Sequence, residues 1–290
     1  SSDLEHSLEE VAQYRLEWCK QWLKRAADLE VEKTAAKKRH PSTSKKRLRL
    51  TREILQSLGY EDLEVLDLLQ KGSTLAGEIE PSAVFQSAFK PCVATLQQLE
   101  DCAAKRNLLI LRMTKSSGSA AMDEAVLKET QEELAKGWAD GPWDLQSLEA
   151  GATISRRFAL QQGEKVRMID DYSVSGVNDS CTINTKLDLH VIDTFVAAAK
   201  SYFEEMDACG KDVSLQAKAY DLKSAYRQIP IRNDHLNMDT SASSTVRKVL
   251  WRFIAQGHCL FGATHSVYNF LCLARMIHCI SSRGAKLITT

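Results

Sequence analysis

The first half of the chain carries apolar residues at a spacing of three and four positions, the period of an amphipathic helix. The longest such stripe covers residues 3–30 and includes Trp18 and Trp22, which we interpret as core aromatics rather than as a ligand site. Gly59 and Gly72 come just after two shorter stripes, where a C-terminal cap is expected. The spacing predicts these shorter helices over residues 51–58, 62–70, 92–114 and 122–136.

The second half changes to the alternation that is typical of strands. Residues 154–171 alternate around the short turn Gln162-Gly163-Glu164, which predicts a β-hairpin. The remaining segments are predicted as helices at 192–206 and 268–280, an extended segment at 245–260, a loop or extended connection at 73–91 and a turn at 138–143. Together these elements predict an α+β fold, with a helical region over residues 1–145 followed by a mixed region over residues 146–290.

Composition narrows the class of protein only slightly. The 290 residues are 44% hydrophobic and 26% charged, as in ordinary globular proteins, and the net charge of zero mildly disfavours nucleic-acid binding. The sequence has no apolar run long enough to span a bilayer and no signal-peptide pattern, so we expect an intracellular protein, cytoplasmic or nuclear, without a membrane partner. Because the chain begins at Ser1 and ends at Thr290 within a strand-like pattern, we expect a fragment of a longer polypeptide.

The metal-binding residue types give no ligand pattern of their own. The eight cysteines include no C-x-x-C pair, so we interpret them as free thiols packed as small hydrophobic groups in a reducing compartment. His258, His265 and His278 fall on a strand end, a loop and a helix without the spacing of a second ligand. The sequence therefore predicts neither a zinc site nor a disulfide framework.

A basic segment interrupts the helical region at residues 33–52, where nine Lys or Arg residues occur without an acid. Three interpretations remain open for it: a solvated linker, a contact to nucleic-acid phosphates through counterion release, or a nuclear import patch. The candidate phosphate contacts, the weakest of our site predictions, are Lys37, Lys38, Arg39, Lys45, Lys46 and Arg47.

Residues 217–231 read AKAYDLKSAYRQIPI and carry the strongest chemical signal in the chain. An acid at the end of a strand, Asp221, is followed at once by a sharp polar turn, and Tyr226 comes five residues later. This is how a chain presents a carboxylate to a hard cation such as Mg²⁺, whose remaining ligands are often substrate phosphates. For Tyr226, the alternative interpretation is an ordinary core aromatic.

The predicted hairpin places two cations together. Lys165 and Arg167 are two positions apart in a strand, so their side chains point to the same face. Such a pair can hold a triphosphate, and a guanidinium can do so in bidentate fashion. The alternative is an exposed strand with ordinary surface charges.

The string from Tyr220 to Pro230 resembles the first catalytic motif of reverse transcriptases, D-x-[KS]-x-A-[YF]-x-Q-I-P. The resemblance implies that Asp221 binds the catalytic metals, that the Leu222 carbonyl can join it, and that Tyr226 excludes a ribose 2′-hydroxyl. It also implies Mg²⁺ or Mn²⁺ as the cofactor, and a primer-template of RNA or DNA with deoxynucleoside triphosphates as partners.

Two further segments resemble elements of the same family. KVRMIDDYS at 165–173, with Asn178 after it, is similar to the fingers hairpin, which implies phosphate binding by Lys165 and Arg167. The segment 260–270, LFGATHSVYNF, resembles the second palm motif, P-F-G-x-x-x-[AS]-P-x-x-F, and implies nucleotide support by Phe261 and Gly262. Leu260 (or Cys259) and Val267 stand where the family usually has proline.

The second carboxylate motif of the family is not in the sequence. An aromatic-x-Asp-Asp hairpin is expected after the second palm helix, but no acid follows Asp239. Two-metal chemistry needs carboxylates from both motifs, so we expect this chain alone to be inactive and the metals to bind only when the Asp pair is present.

The resemblance covers residues 154–290 and implies the fingers and partial palm of a right-hand polymerase, an antiparallel sheet packed on helices. The first hypothesis is a retroelement reverse transcriptase fragment, in which the full-length protein performs RNA-directed DNA synthesis. The second is a degenerate, non-catalytic remnant that at most binds nucleic acid. The third is an unrelated α/β interaction protein that happens to hold the motif.

Overall fold

The fold was analysed in a computed structural model of the chain, which describes residues 8–31, 46–148, 151–187, 192–210, 222, 224–245 and 248–284. The α-helices are α1 Leu8–Val31, α2 Leu48–Ser57, α3 Val65–Gln70, α4 Leu96–Asp101, α5 Ala103–Met113, α6 Ala120–Ala135, α7 Ile192–Ala208 and α8 Thr264–Cys279. The strands are β1 Gly77–Ile79, β2 Gln86–Lys90, β3 Ala139–Trp143, β4 Ile154–Gln162, β5 Lys165–Asp171, β6 Cys181–Lys186, β7 Thr240–Thr245 and β8 Lys248–Gln256. Short 3₁₀ helices lie at Leu145–Ser147, Asn178–Ser180, Tyr226–Gln228 and Asn233–Met238, and a π-helical turn at Ile280–Gly284 follows α8.

The helices form where the spacing predicted them, and their ends follow local chemistry. Thr95 and Gln98 form a capping box at the start of α4, and the Ser119 hydroxyl accepts a backbone N–H at the start of α6. The predicted helix at 92–114 is in fact two helices, because α4 ends at Asp101 and α5 begins at Ala103.

The main sheet has five strands in the order β3-β8-β7-β4-β5, all antiparallel neighbours except the parallel pair β4 and β7. The hairpin predicted at 154–171 is confirmed as β4 and β5, with Gln162 opposite Lys165 across a two-residue turn. Gly163 takes a φ of +59° at the first turn position, a conformation that glycine adopts without a Cβ penalty.

The turn predicted at 138–143 is wrong, because residues 139–143 form strand β3 on the edge of this sheet. An edge strand tolerates Pro142, which lies where the register shifts between Asp140 and Trp143 and regular pairing is interrupted. The Gly-Pro signal therefore marks an irregularity within a strand and not a reversal of the chain.

A second, three-stranded sheet has the order β1-β6-β2. It recruits two short strands from the connection at 73–91, where β1 pairs parallel to β6 and β2 pairs antiparallel to it. The chain is thus a mixed α/β structure whose sheets are rich in antiparallel pairs.

Two hydrophobic clusters hold these layers together. The larger one joins α2, α3 and α8 through residues such as Leu55, Leu66 and Leu273. The smaller one packs Ile110 of α5 against Phe253 of β8, next to the start of β4. Helices from the first half of the chain therefore pack directly on the sheet and helix of the second half. No helix in the described part of the chain has the length and apolarity to cross a membrane.

Candidate functional site

Three aromatic rings meet beside the five-stranded sheet. The Tyr226 ring lies edge-on to Phe261, with centroids 4.7 Å apart, and edge-on to Phe270 at 5.3 Å. Phe261 is 46% exposed, whereas Tyr226 is partly buried against the larger core cluster. The result is an aromatic surface with Phe261 at its solvent-facing edge.

A short backbone pairing brings these rings together. The N–H of Ile231 donates to the carbonyl of Gly257 and that of Cys259 donates to the carbonyl of Ile229, both at 2.9 Å. This bridge aligns the segment after Tyr226 with the segment before Phe261. Two motifs that are distant in sequence therefore share one surface.

The β4–β5 hairpin adds a cation to this surface. The Cζ atom of Arg167 lies 5.6 Å from the centre of the Phe261 ring, within the range of a cation–π contact. Lys165 is exposed at the tip of the hairpin, two residues away on the same face. The expected same-face placement of the two cations is thus present, and Arg167 is the one that contacts the aromatic surface.

Gly262 and Asn178 fix the loop that carries Phe261. Gly262 has a φ of +105°, and a Cβ at this position would overlap the carbonyl oxygen of Asp170 on β5. The side-chain amide of Asn178 donates to the Gly262 carbonyl at 2.8 Å, and its oxygen accepts the Thr264 N–H at 2.9 Å. The loop is therefore held against the hairpin by close backbone approach and by one bridging carboxamide.

A layer of buried charge lies on the other side of the hairpin. Glu133 of α6 is 2% exposed and receives an ion pair from Arg227, the residue after Tyr226, and another from Arg157 of β4. Nη1 of Arg157 lies 2.7 Å from Glu133, a close pair whose N–H groups are not aligned for a hydrogen bond. Arg227 also donates to Gln256 of β8 at 2.8 Å. One carboxylate thus ties the Tyr226 turn to two strands of the sheet.

This buried layer shifts the ionisation of its members. Burial lowers the pKa of Arg227 to about 10, against the opposing field of Asp239. Burial also raises the pKa of Asp170, where Arg157 and a 2.5 Å hydrogen bond from Ser241 oppose the shift. Loss of hydration is the dominant cause in each case.

Asp239, the last acid in the chain, belongs to the same layer. It is completely buried and accepts a hydrogen bond from the Tyr172 hydroxyl. Burial raises its pKa well above the usual range, although Tyr172 and Arg227 favour the ionised form. Asp239 is therefore a structural acid under the site.

The structure brings together four of the predicted site residues, Arg167, Tyr226, Phe261 and Gly262. Leu222 is 37% exposed, and Asp221 lies outside the described residues, so its metal-binding role stays a prediction.

The basic segment is described only at its C-terminal end. Lys37, Lys38, Arg39 and Lys45 lie outside the described residues. Nζ of Lys46 donates to the Gln228 side chain at 2.5 Å, and Arg47 directly precedes α2. The end of the segment is therefore anchored at the Tyr226–Gln228 turn.

The described residues do not by themselves supply a metal centre. No three His, Cys, Asp or Glu side chains within the described ranges converge as ligands. The buried acids Asp170 and Asp239 each accept a hydrogen bond, although Oδ2 of Asp239 has no hydrogen-bond partner among the described residues. The prediction of Mg²⁺ therefore depends on Asp221 and on the second carboxylate motif.

The sequence analysis did not predict that Glu133 stabilises the site through buried ion pairs. Its signal is its position, because it continues the buried stripe of α6 through Val126 and Thr130 at helical spacing. An acid on a buried stripe indicates a buried ion pair. Its partners, Arg157 and Arg227, could not be read from the sequence.

Comparisons with known proteins do not extend this picture. No protein-family model matches the chain, and no curated protein is similar enough to be counted as a relative.

Proposed function

We propose that residues 154–290 are the fingers and partial palm of a retroelement reverse transcriptase, and that the aromatic surface at Phe261 receives an incoming deoxynucleoside triphosphate. The observation that carries the proposal is the contact series from Arg167 through Phe261 to Tyr226. These residues come from three separate segments, each of which resembles a motif of that one family. An unrelated protein that held one motif by chance would have no reason to assemble all three.

The chemistry of the surface fits the parts of a nucleotide. Arg167, with Lys165 on the same hairpin face, offers positive charge and a planar fork of donors to phosphate oxygens. Phe261 provides an exposed ring against which a base or sugar can pack. Tyr226 is packed between Phe261 and Phe270 and provides a rigid wall that discriminates against a 2′-hydroxyl.

The supporting layer explains how such a wall is kept in place. Arg227 anchors the turn to Glu133 and Gln256, so Tyr226 is flanked by a buried ion pair on one side and by aromatic rings on the other. A steric filter requires this rigidity, since a ring that swings away admits the larger sugar.

The first test is nucleotide binding by this chain, measured by calorimetry with dATP and ATP in the presence of Mg²⁺. Arg167→Ala should weaken dATP binding about tenfold, the effect of losing a charge-assisted contact. Tyr226→Ala should narrow the preference for dATP over ATP. Lys200→Ala, on exposed helix α7, is the matched control and should leave binding unchanged. Equal binding by wild type and Arg167→Ala would contradict the proposal.

The second test separates a polymerase from a remnant. The natural transcript is read past Thr290, and the protein that includes the downstream sequence is assayed for Mg²⁺-dependent primer extension. An aromatic-x-Asp-Asp motif followed by extension that Asp221→Asn abolishes would support catalysis. Nucleotide binding without extension, or a stop codon before the Asp pair, would support the degenerate remnant.

A further inference from the structure

A cleft of about 390 Å³ lies between strand β3 and the 3₁₀ helix Asn233–Met238, separate from the aromatic surface at Phe261. This volume falls within the range of small-molecule sites. Its wall includes Trp138, Trp143, Leu148, Leu236, Asn237 and Thr240. Neither the polymerase resemblance nor the proposed nucleotide site accounts for it.

Two indole rings give the cleft its flat, apolar character. Trp138 is held by Lys136, whose Nζ lies 4.8 Å from the ring centre, and by the His258 ring at 6.4 Å. Trp143 packs on the smaller core cluster and is only partly buried. Both rings are therefore fixed by their neighbours while each still lines the cleft, an arrangement that suits a planar ligand.

Polar groups on the opposite wall come from the 3₁₀ helix. The Asn237 carbonyl accepts the Thr153 N–H at 2.8 Å, which fixes this residue against the start of β4. Its side-chain oxygen is buried and has no hydrogen-bond partner among the described residues. A buried acceptor without a donor is costly, so a donor entering the cleft would satisfy it after a turn of the carboxamide. Asn233 adds a second carboxamide to the same wall.

The charges around the cleft do not favour phosphate as the group that enters it. The described residues that line it include no Lys or Arg, and the charged one is Asp140. That carboxylate already accepts the Gly141 N–H at 2.8 Å. A triphosphate would find no cation among these lining residues, since Lys136, over the Trp138 ring, is not one of them, whereas a flat, uncharged ring with hydrogen-bond donors needs no cation.

We propose that this cleft binds an unpaired nucleobase that carries an exocyclic amino group. The base packs against Trp138 and Trp143 and is hydrogen-bonded to Asn237. The base could be presented by a free nucleoside or by single-stranded nucleic acid, since the recognised chemistry is the same in both. The inference does not depend on the proposed polymerase function. A chain without catalytic activity would still have the cleft.

The experiment is a calorimetric titration of the chain with adenosine, with thymidine, and with a short single-stranded oligo(dA). Saturable adenosine binding that exceeds thymidine binding is expected, because adenine offers an amino group and a larger ring to stack, whereas thymine offers the single N3–H donor and a smaller ring. Trp138→Leu should weaken it about tenfold, since stacking on one aromatic ring contributes this much. Asn237→Leu removes the amide while keeping the volume and should reduce the preference for adenosine over thymidine.

Two controls separate this site from the nucleotide surface and from misfolding. Arg167→Ala, which removes an exposed side chain of the proposed nucleotide site, should leave adenosine binding unchanged. Asn184→Ala removes a half-buried carboxamide of β6, in the other sheet, and should also have no effect on adenosine binding. Each variant is compared by circular dichroism, and Asn237→Leu serves as the independent probe if Trp138→Leu does not fold.

The arms of the titration also identify the source of the base. Tighter binding of oligo(dA) than of adenosine supports single-stranded nucleic acid, and adenosine binding alone supports a free nucleoside. The proposal is overturned if neither adenosine nor oligo(dA) binds saturably, if adenosine binding is lost in Arg167→Ala but kept in Trp138→Leu, or if thymidine binds as tightly as adenosine.

Discussion

Arg156 and Arg157 are neighbours on strand β4, and their side chains enter opposite environments. Arg156 lies over the Phe158 ring at 4.6 Å, with Asp171 at 3.5 Å, and remains partly exposed. Arg157 is 3% exposed and forms an ion pair with Glu133 on the covered face of the sheet. One face of the hairpin therefore carries charge that is open to solvent, while the charge on the other face joins the sheet to α6.

The comparison shows that the contribution of a strand cation to stability depends on the face of the sheet that it occupies. On the open face, water screens each charge, so removing one changes stability very little. On the covered face, removing one partner leaves the other buried without compensation. We therefore expect side chains on the open face to contribute to binding and those on the covered face to contribute to the free energy of unfolding. Substitutions on the two faces test this expectation.

The largest effect is expected for Glu133→Ala. This variant leaves Arg157 and Arg227 buried without their carboxylate and should lower the free energy of unfolding by about 3–5 kcal/mol. Urea denaturation measures it. Glu132→Ala, which removes an exposed acid paired with Lys136 on the same helix, should lower it by less than about 0.5 kcal/mol. Similar losses in the two variants would show that the buried layer is not special.

The backbone contact between the two regions is tested by Gly262→Ala. The new Cβ would overlap the Asp170 carbonyl at a positive φ, so we expect a loss of about 3 kcal/mol and a displaced Phe261 loop. Gly163→Ala has the same kind of φ but open space around it, and it should lose about 1 kcal/mol. Thermal unfolding measures the loss of stability in each variant, and the difference between the two losses gives the cost of the overlap with Asp170. Equal losses would show that the overlap costs nothing.

A buried histidine next to the site predicts a pH effect. His265 is 1% exposed with Nδ1 2.9 Å from the Thr74 hydroxyl, and burial lowers its pKa from 6.5 to about 4. The unfolded chain therefore binds a proton between pH 6.5 and 4 that the folded chain does not, so stability falls as the pH falls through this window. The expected loss attributable to His265 is about 3 kcal/mol at pH 4.

Denaturation series at several pH values compare His265→Asn with the exposed His278→Asn. The first variant should flatten the acid-side decline, and the second should keep it. An unchanged decline in His265→Asn would assign the pH dependence to other groups.

The smallest stability effect is expected on the open face. Arg167→Ala should change the free energy of unfolding by less than about 0.5 kcal/mol, because an exposed side chain loses only screened contacts. Chemical denaturation provides the number, and Arg157→Ala on the covered face provides the contrast. A large loss in Arg167→Ala would mean that this residue holds the fold and would weaken its assignment to phosphate binding.

Much of the local structure could be predicted because its causes are local. The hairpin follows from alternation around Gly163, and α8 follows from its apolar spacing, since both signals lie within a few residues. Strand β3 was missed because Asp140-Gly141-Pro142 has turn chemistry, and only the edge position in the sheet permits it to pair. The short strands β1 and β2 were missed for a related reason, because their pairing depends on β6, far along the chain.

The sequence by itself determined the residue types at the site and the shared face of Lys165 and Arg167, because the side-chain period of a strand is local. The tertiary structure decided that Phe261 lies between Arg167 and Tyr226, because packing joins segments whose separation in sequence carries no distance information. It also decided that Glu133, Arg157 and Arg227 are buried together. The sequence specifies a charge, but the folded environment determines whether water screens it or a buried partner must neutralise it.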